Sequence, residues 1–157
     1  MDKLIKLIRK NGMMEPDQLA VMLGEDVQTV KNKLQQYEEE GVIKGYKAVI
    51  DYPESEGGYV EAIIELRVAP QRDTGFDSVA EQIASMKEVD SLFLMSGGYD
   101  LFVKVYGKTF QDIAMMVAKK LSTIPGVTGT KTHFMLKKYK EDGIAFTEEK
   151  VDLRGVL

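Results

Sequence analysis

Apolar residues recur at helical spacing three times within the first forty positions. Leu4, Ile5, Leu7 and Ile8 mark a first helix, closed by Asn11-Gly12, a good C-terminal stop. A second opens near Glu15-Pro16-Asp17, with Pro at a first helical position, and carries Leu19, Ala20, Met22 and Leu23 up to Gly24. A third opens at the N-cap residue Asp26 and sets Val27, Val30, Leu34 and Tyr37 on one face before Glu38-Glu39-Glu40-Gly41. Val42 to Ile50 then alternates around Lys44-Gly45, which predicts a small β-hairpin. Three short helices and a hairpin spell a winged helix-turn-helix over residues 1–50.

The pattern breaks at residues 51–58, where Pro, Ser, two Gly and three acidic groups leave little to bury; this stretch is expected to be a linker. Beyond it, Tyr59–Ala69 has the Val and Ile content of a strand, and Phe76, Val79, Ile83 and Met86 share one helical face. Val89–Met95 and Tyr99–Tyr106 predict two more strands, joined through Ser96-Gly97-Gly98. Phe110, Ile113, Ala114, Val117 and Leu121 predict a second helix, broken by Ile124-Pro125-Gly126, and Val127–Lys138 a fourth strand. The order β-α-β-β-α-β over 59–138 is the ferredoxin-like arrangement, so the fold class is α+β. One sheet face would then lie bare, with Leu94, Phe102 and Phe134 expected on it, and dimerisation would cover it. Residues 139–157 form a C-terminal extension whose Ile144, Phe146, Val151 and Leu153 either dock on a neighbouring subunit or stay loose.

Composition narrows the classes. With 44% hydrophobic and 29% charged residues, the 157-residue chain is globular, not disordered. No apolar run approaches the ~20 residues of a membrane span, and the N-terminus lacks a signal-peptide core, so a cytoplasmic protein is expected. There is no Cys and one His, which argues against a thiol nucleophile or a structural metal; no cofactor is expected. The net charge of −4 belongs wholly to residues 51–157, because residues 1–50 balance eight basic against eight acidic groups.

Burying Val30, Leu34 and Tyr37 turns Gln28, Thr29, Lys31, Asn32, Gln35 and Gln36 outward on the third helix. Asn and Gln pair bidentately with adenine in the major groove, and Lys and Thr reach phosphates or guanine edges. Lys33 on the same helix, with Lys44 and Lys47 in the expected wing, would support backbone contact. The same residues also suit an ordinary solvated face; what favours DNA is the preceding helix, the glycine turn and the hairpin. Basic groups are few, so useful affinity needs two or more copies on one site.

These runs resemble the Lrp/AsnC, or feast/famine, family of transcriptional regulators. The resemblance is carried by Leu19-Ala20, Leu23-Gly24, Thr29-Val30, the run Glu38-Glu39-Glu40-Gly41-Val42-Ile43-Lys44-Gly45-Tyr46, and Ser96-Gly97-Gly98-Tyr99-Asp100. It implies DNA-binding heads joined to effector domains that dimerise through their sheets, often assemble into octamers, and bind amino acids in clefts between them. The turn Ser96, Gly97, Gly98, Tyr99 and Asp100 fits that role: open amides for a carboxylate and one acid for an ammonium group. Alternatively it is only a Gly-Gly turn before an exposed Asp. By the same resemblance, Thr130, Thr132 and His133 would supply the neighbouring wall. The family's usual Leu-Asp-x-x-Asp opening is absent, and Asn32, Gln35 and Gln36 stand where several Arg are common. A regulator and not an enzyme is expected, with a tetrapyrrole decarboxylase-like enzyme, or a sensor that has lost DNA binding, as the alternatives.

Overall fold

The structure, a computed structural model, describes residues 2–55 and 57–146. It divides into two compact units, one built from the first fifty residues with the segment from Lys140, the other spanning Asp51–Tyr139.

In the first unit, α1 spans Lys3–Lys10, α2 Pro16–Leu23 and α3 Val27–Glu39. Asp2 starts α1 by accepting the amides of Leu4 (2.6 Å) and Ile5 (3.4 Å). Those hydrogen bonds, the Leu4 one foremost, hold the Asp2 carboxyl below its ordinary value. Gly24 ends α2 in the left-handed conformation (φ 68°), which a side chain resists. Asp26 then caps α3 by accepting the Thr29 amide at 3.1 Å. Leu4, Leu19, Ala20 and Val30 are buried, with Leu34 and Tyr37 packed beside them.

The expected hairpin over 42–50 is not formed: no strand pairing occurs there. A two-residue turn of that kind needs positive φ at its centre, and Gly45 is not in the left-handed region, whereas Gly41 is (φ 68°). The turn has moved to the end of α3. The Ile43 amide donates to the Tyr37 carbonyl (2.9 Å) and the Tyr46 hydroxyl to Glu38 (3.0 Å), so the chain folds back on the helix.

In the second unit, β1 is Val60–Val68, α4 Asp77–Ala84, β2 Val89–Leu94, β3 Leu101–Gly107, α5 Phe110–Met116 and β4 Val127–Phe134. The four strands form one antiparallel sheet in the order β2-β3-β1-β4. After α5 the chain makes a π-helical turn, Val117–Leu121. A short hairpin of β5 (Lys140–Glu141) and β6 (Ile144–Ala145), grouped with the first unit, lies within the expected extension; Val151 and Leu153 lie outside the described residues.

Alternation along β1 sorts the side chains. Ala62, Ile64, Leu66 and Val68 face inward with Leu101, Val103 and Val105 of β3, and Val79, Ile83, Ile113 and Leu121 close the core over them. Glu61, Ile63, Glu65 and Arg67 face the other way. This corrects the expected bare apolar face in two respects. Phe102 lies on the open face, opposite Glu65, but Leu94 pairs with Leu101 and Phe134 with Ala62, which puts both on the helix side. Phe134 there meets Phe110 edge to face, with centroids 4.9 Å apart. The open face itself is largely charged and paired: Lys138 with Glu61 (2.8 Å), Lys104 with Glu61 (4.0 Å) and Asp90 (3.9 Å), and His133 with Glu65 (3.0 Å).

The expected linker contains a 3-10 turn, Tyr52–Glu54. Its Tyr52 ring meets Tyr59 edge to face (5.4 Å), and the Lys138 ammonium lies 5.8 Å from the Tyr52 centroid.

Leu66 is fully buried opposite Leu101. Leu66→Ala should cost about 2–5 kcal/mol, read as a lower denaturant midpoint at unchanged m-value. Because the Asp2 carboxyl is lowered on folding, its contribution is present above its ordinary value of 3.8 and is lost as pH falls through the lower folded value. Acid titration of the head's helical signal should therefore show a flatter loss in Asp2→Asn than in the parent.

Candidate DNA-reading helix and effector cleft

The outward face of α3 divides in two along its length. In the N-terminal half, Gln28, Thr29, Lys31 and Asn32 are exposed. The Gln28 side-chain amide donates to Asn32 Oδ1 at 2.9 Å, one helical turn away. This leaves the Asn32 amide as a donor and the Gln28 carbonyl as an acceptor, side by side. Lys31 meets no acid among the described residues.

The C-terminal half is different. Gln35 donates to Glu39 (2.8 Å) and Gln36 to Glu40 (2.7 Å), so both amides are held by carboxylates that would face phosphate. Lys33 does not share the outward face. It is half-buried and gripped by both oxygens of Glu25 at 2.8 Å, and that hydrogen bond raises its ammonium above the ordinary lysine value. Lys44 curls back over Gly41, where an added Cβ would stand 2.7 Å from its Nζ. Lys47 is exposed on the extended chain beyond.

In the second unit the turn after β2 is latched to the sheet through Asp100. Its Oδ2 accepts the Val68 amide (2.8 Å), its own amide donates to the Leu66 carbonyl (2.9 Å), and its carbonyl accepts from Met95 (2.8 Å). The latch sits where β1 slips register against β4, between Arg67 and Val68. Asp100 thus anchors the turn, with one carboxylate oxygen already engaged.

The latch carries Gly98 and Tyr99 across the end of β1, where they form an open cleft of about 440 Å³ with Glu65, Arg67, Gly129, Thr130 and Lys131. Gly129 stands opposite Arg67 and Lys131 opposite Glu65. Neither the Arg67 guanidinium nor the Lys131 ammonium meets a carboxylate among the described residues, while Glu65 accepts from the His133 ring at 3.0 Å. Of the residues anticipated from sequence, the structure brings Gly98, Tyr99 and Thr130 together and places His133 beside them through Glu65. Ser96 and Gly97 stay exposed at the tip of the turn. Thr132 pairs with Ile64 and so belongs to the helix side of the sheet, away from His133. Sequence reasoning missed Glu65, Arg67 and Lys131. The available signal was the Glu-x-Arg alternation inside an otherwise apolar strand.

A family model for the Lrp/AsnC ligand binding domain matches residues 61–145, past Lys138 and through β5 and β6. An uncharacterized HTH-type transcriptional regulator of Bacillus subtilis, YugG, is 41% identical over 99% of this chain and 94% of its own length. The chain belongs to the Lrp/AsnC family. An HTH-type transcriptional regulator of Pyrococcus horikoshii is 30% identical over 88% of this chain and 89% of its own. The Lrp/AsnC fold extends to a transcriptional regulator of Neisseria meningitidis solved with L-Met, at TM-score 0.73 and 21% identity over 90% of this chain and 93% of that one. In this Lrp/AsnC regulator, the helix-turn-helix is α2, Gly24–Asp26 and α3, and the cleft lies within the matched domain.

Asp100→Ala should cost about 1–3 kcal/mol, because it leaves the Val68 amide without its acceptor. Asp100→Asn retains a carbonyl at that point and should recover most of the loss. Equilibrium unfolding of the three proteins measures this.

Proposed function

We propose that this chain regulates transcription by reading operator DNA with the N-terminal half of α3, under the control of an amino acid held in the Tyr99–Arg67 cleft. The observation that carries the first part is the contrast along α3. Gln28, Thr29, Lys31 and Asn32 are exposed, and the side chains of Gln28, Lys31 and Asn32 meet no acid among the described residues, whereas the C-terminal half presents Glu39 and Glu40. The Asn32 donor and the Gln28 acceptor match N7 and N6 of one adenine. Lys31 supplies the phosphate contact. Gln35, Gln36, Lys44 and Lys47 are peripheral in this reading, and Lys33 holds Glu25 instead of DNA.

With so little charge per head, affinity comes from pairing heads on two half-sites, so the working form is a homodimer or a larger homo-oligomer such as an octamer. A regulator of chromosomal DNA acts in the cytoplasm and needs no cofactor. A catalytic role is not supported, because His133, the single histidine, meets only Glu65 among the described residues.

In the cleft, Arg67, Lys131 and the Gly98–Tyr99 amides suit a carboxylate, and Glu65 suits an ammonium group. Asp100 orients the turn. The L-Met in the Neisseria structure makes an amino acid the natural ligand class to test.

Lys31→Ala should weaken binding to all sequences and lower the salt slope by about one phosphate contact. Asn32→Ala should relax preference at one base pair by about 1–3 kcal/mol. Lys33→Ala should leave sequence preference unchanged. Mobility shifts over a salt series, on fragments selected from genomic DNA, measure all three. Arg67→Ala should keep operator binding without effector and lose its response to amino acids. If Lys31→Ala and Asn32→Ala both bind like the parent, α3 is not the reader.

A further inference from the structure

The lining of the Tyr99–Arg67 cleft carries information about the side chain of its ligand. Seven residues form it, and Tyr99 supplies the one large apolar surface; no Val, Leu, Ile or Met is among them. Ligand pockets for apolar groups are lined predominantly by apolar side chains. An apolar side chain bound here would lie against charged groups and water, with little surface of its own kind to cover.

Charge in the cleft is unbalanced. Arg67 and Lys131 are exposed, and neither meets a carboxylate among the described residues. Glu65 is the one acid in the lining, and its Oε1 already accepts from the His133 ring at 3.0 Å. The acids nearby are engaged elsewhere, Asp100 on the Val68 amide and Glu61 on Lys138. A ligand with one ammonium group and one carboxylate leaves the excess of one cation as it was. A ligand with a second carboxylate removes it. The backbone leaves room for such a ligand. Gly129 stands in β4 opposite Arg67, where an added Cβ would lie 3.8 Å from Arg67 Cβ and 4.0 Å from its Cδ, so the arginine stem runs over bare backbone. Glycine inside a strand weakens it and marks a place where another group approaches closely. At Gly98 an added Cβ would meet nothing within 4 Å.

On the reading of this cleft as the effector site, we propose that it selects an acidic amino acid, aspartate or glutamate, over apolar and amide-bearing ones. The α-carboxylate lies against the Gly98–Tyr99 amides and the Arg67 guanidinium, whose two parallel N–H donors match a carboxylate. The ammonium group donates to Glu65, whose side chain is still 27% exposed. The side-chain carboxylate meets the Lys131 ammonium, at the strand position opposite Glu65. Glu65 and Arg67 follow each other on the open face, about 7 Å apart along β1, a span that one small ligand bridges. Methionine, the ligand in the Neisseria structure, would make the first two contacts here and leave Lys131 unpaired.

Equilibrium dialysis of the full-length protein against radiolabelled L-glutamate and L-aspartate tests the selection, with L-glutamine, L-asparagine, L-methionine and glutarate as competitors. One of the two acidic amino acids should bind at least about tenfold more tightly than its own amide and than methionine, the value of one charge-assisted hydrogen bond. Glutarate, which lacks the ammonium group, should be weaker by a similar factor. Lys131→Ala should reduce the preference for the acid over its amide to less than about threefold at unchanged amide affinity, and Lys131→Arg should restore it. Arg67→Ala should weaken acid and amide alike. Both positions are exposed, and neither side chain makes a hydrogen bond or ion pair among the described residues, so the variants should fold as the parent does.

Glutamine or methionine binding as tightly as glutamate and aspartate, with Arg67→Ala still weakening them, overturns the selection and leaves the cleft standing as an amino-acid site. The selection also falls if glutarate binds as well as the acidic amino acids, or if Lys131→Ala keeps the preference. If no amino acid binds, or if Arg67→Ala and Lys131→Ala both bind like the parent, the selection and the effector reading of the cleft fall together.

Discussion

Strand β1 lies between β3 and β4, and its alternation commits each side chain to one of two environments. Ala62, Ile64, Leu66 and Val68 enter the core under α4 and α5; Glu61, Glu65 and Arg67 go to the open face. A one-residue slip would exchange the two sets, exposing apolar side chains worth about 1.5–3 kcal/mol each and driving three charges against the helices. The register is therefore strongly specified. The cleft depends on it, since Glu65 and Arg67 reach it from the open face.

In the head, the controlling feature is how charge is distributed along α3. The helix N-terminus carries the positive end of the backbone dipole, and Asp26 caps it without shielding Lys31. Toward the C-terminus, Glu39 and Glu40 absorb the amides of Gln35 and Gln36. A helix with this gradient approaches a phosphate backbone favourably only with its N-terminal end. Eight basic and eight acidic groups in residues 1–50 give no net attraction to add to that. On the proposed reading, affinity comes from geometry and copy number rather than from bulk charge.

Local signals in the chain anticipated local structure well. The caps at Asp26 and Gly24, the proline opening α2 and the Val and Ile content of β1 each act within a few residues, and each element appears where its signal lies. What escaped were features decided over longer range. Val42–Ile50 alternates like a hairpin, but the Tyr37 carbonyl and the Glu38 carboxylate bind Ile43 and Tyr46 and hold the segment on α3. Leu94 and Phe134 change sides because pairing register, not apolarity, decides which face a strand residue takes. Lys33 looked like a backbone contact until the fold brought Glu25, eight positions away, to its ammonium. The cleft was half legible. Its glycine turn is a contiguous motif, but Arg67 and Gly129 meet only through strand pairing.

Aromatic contacts connect the end of β3 to the start of the second unit. Tyr106 of β3 meets Tyr59 edge to face with centroids 5.7 Å apart, and Tyr59 meets Tyr52 of the 3-10 turn at 5.4 Å. Contiguity alone is not coupling; one member must have a second arrangement available at low cost. The sheet core does not qualify, because Val103, Val105 and Ile64 are fully packed and resist displacement. The 3-10 turn does. It is three residues long and is held by the amides of Glu54 and Ser55 and the Ser55 hydroxyl, all bonded within the turn itself. Tyr52 is tied to the rest of the unit through its ring, against Tyr59 and 5.8 Å from the Lys138 ammonium.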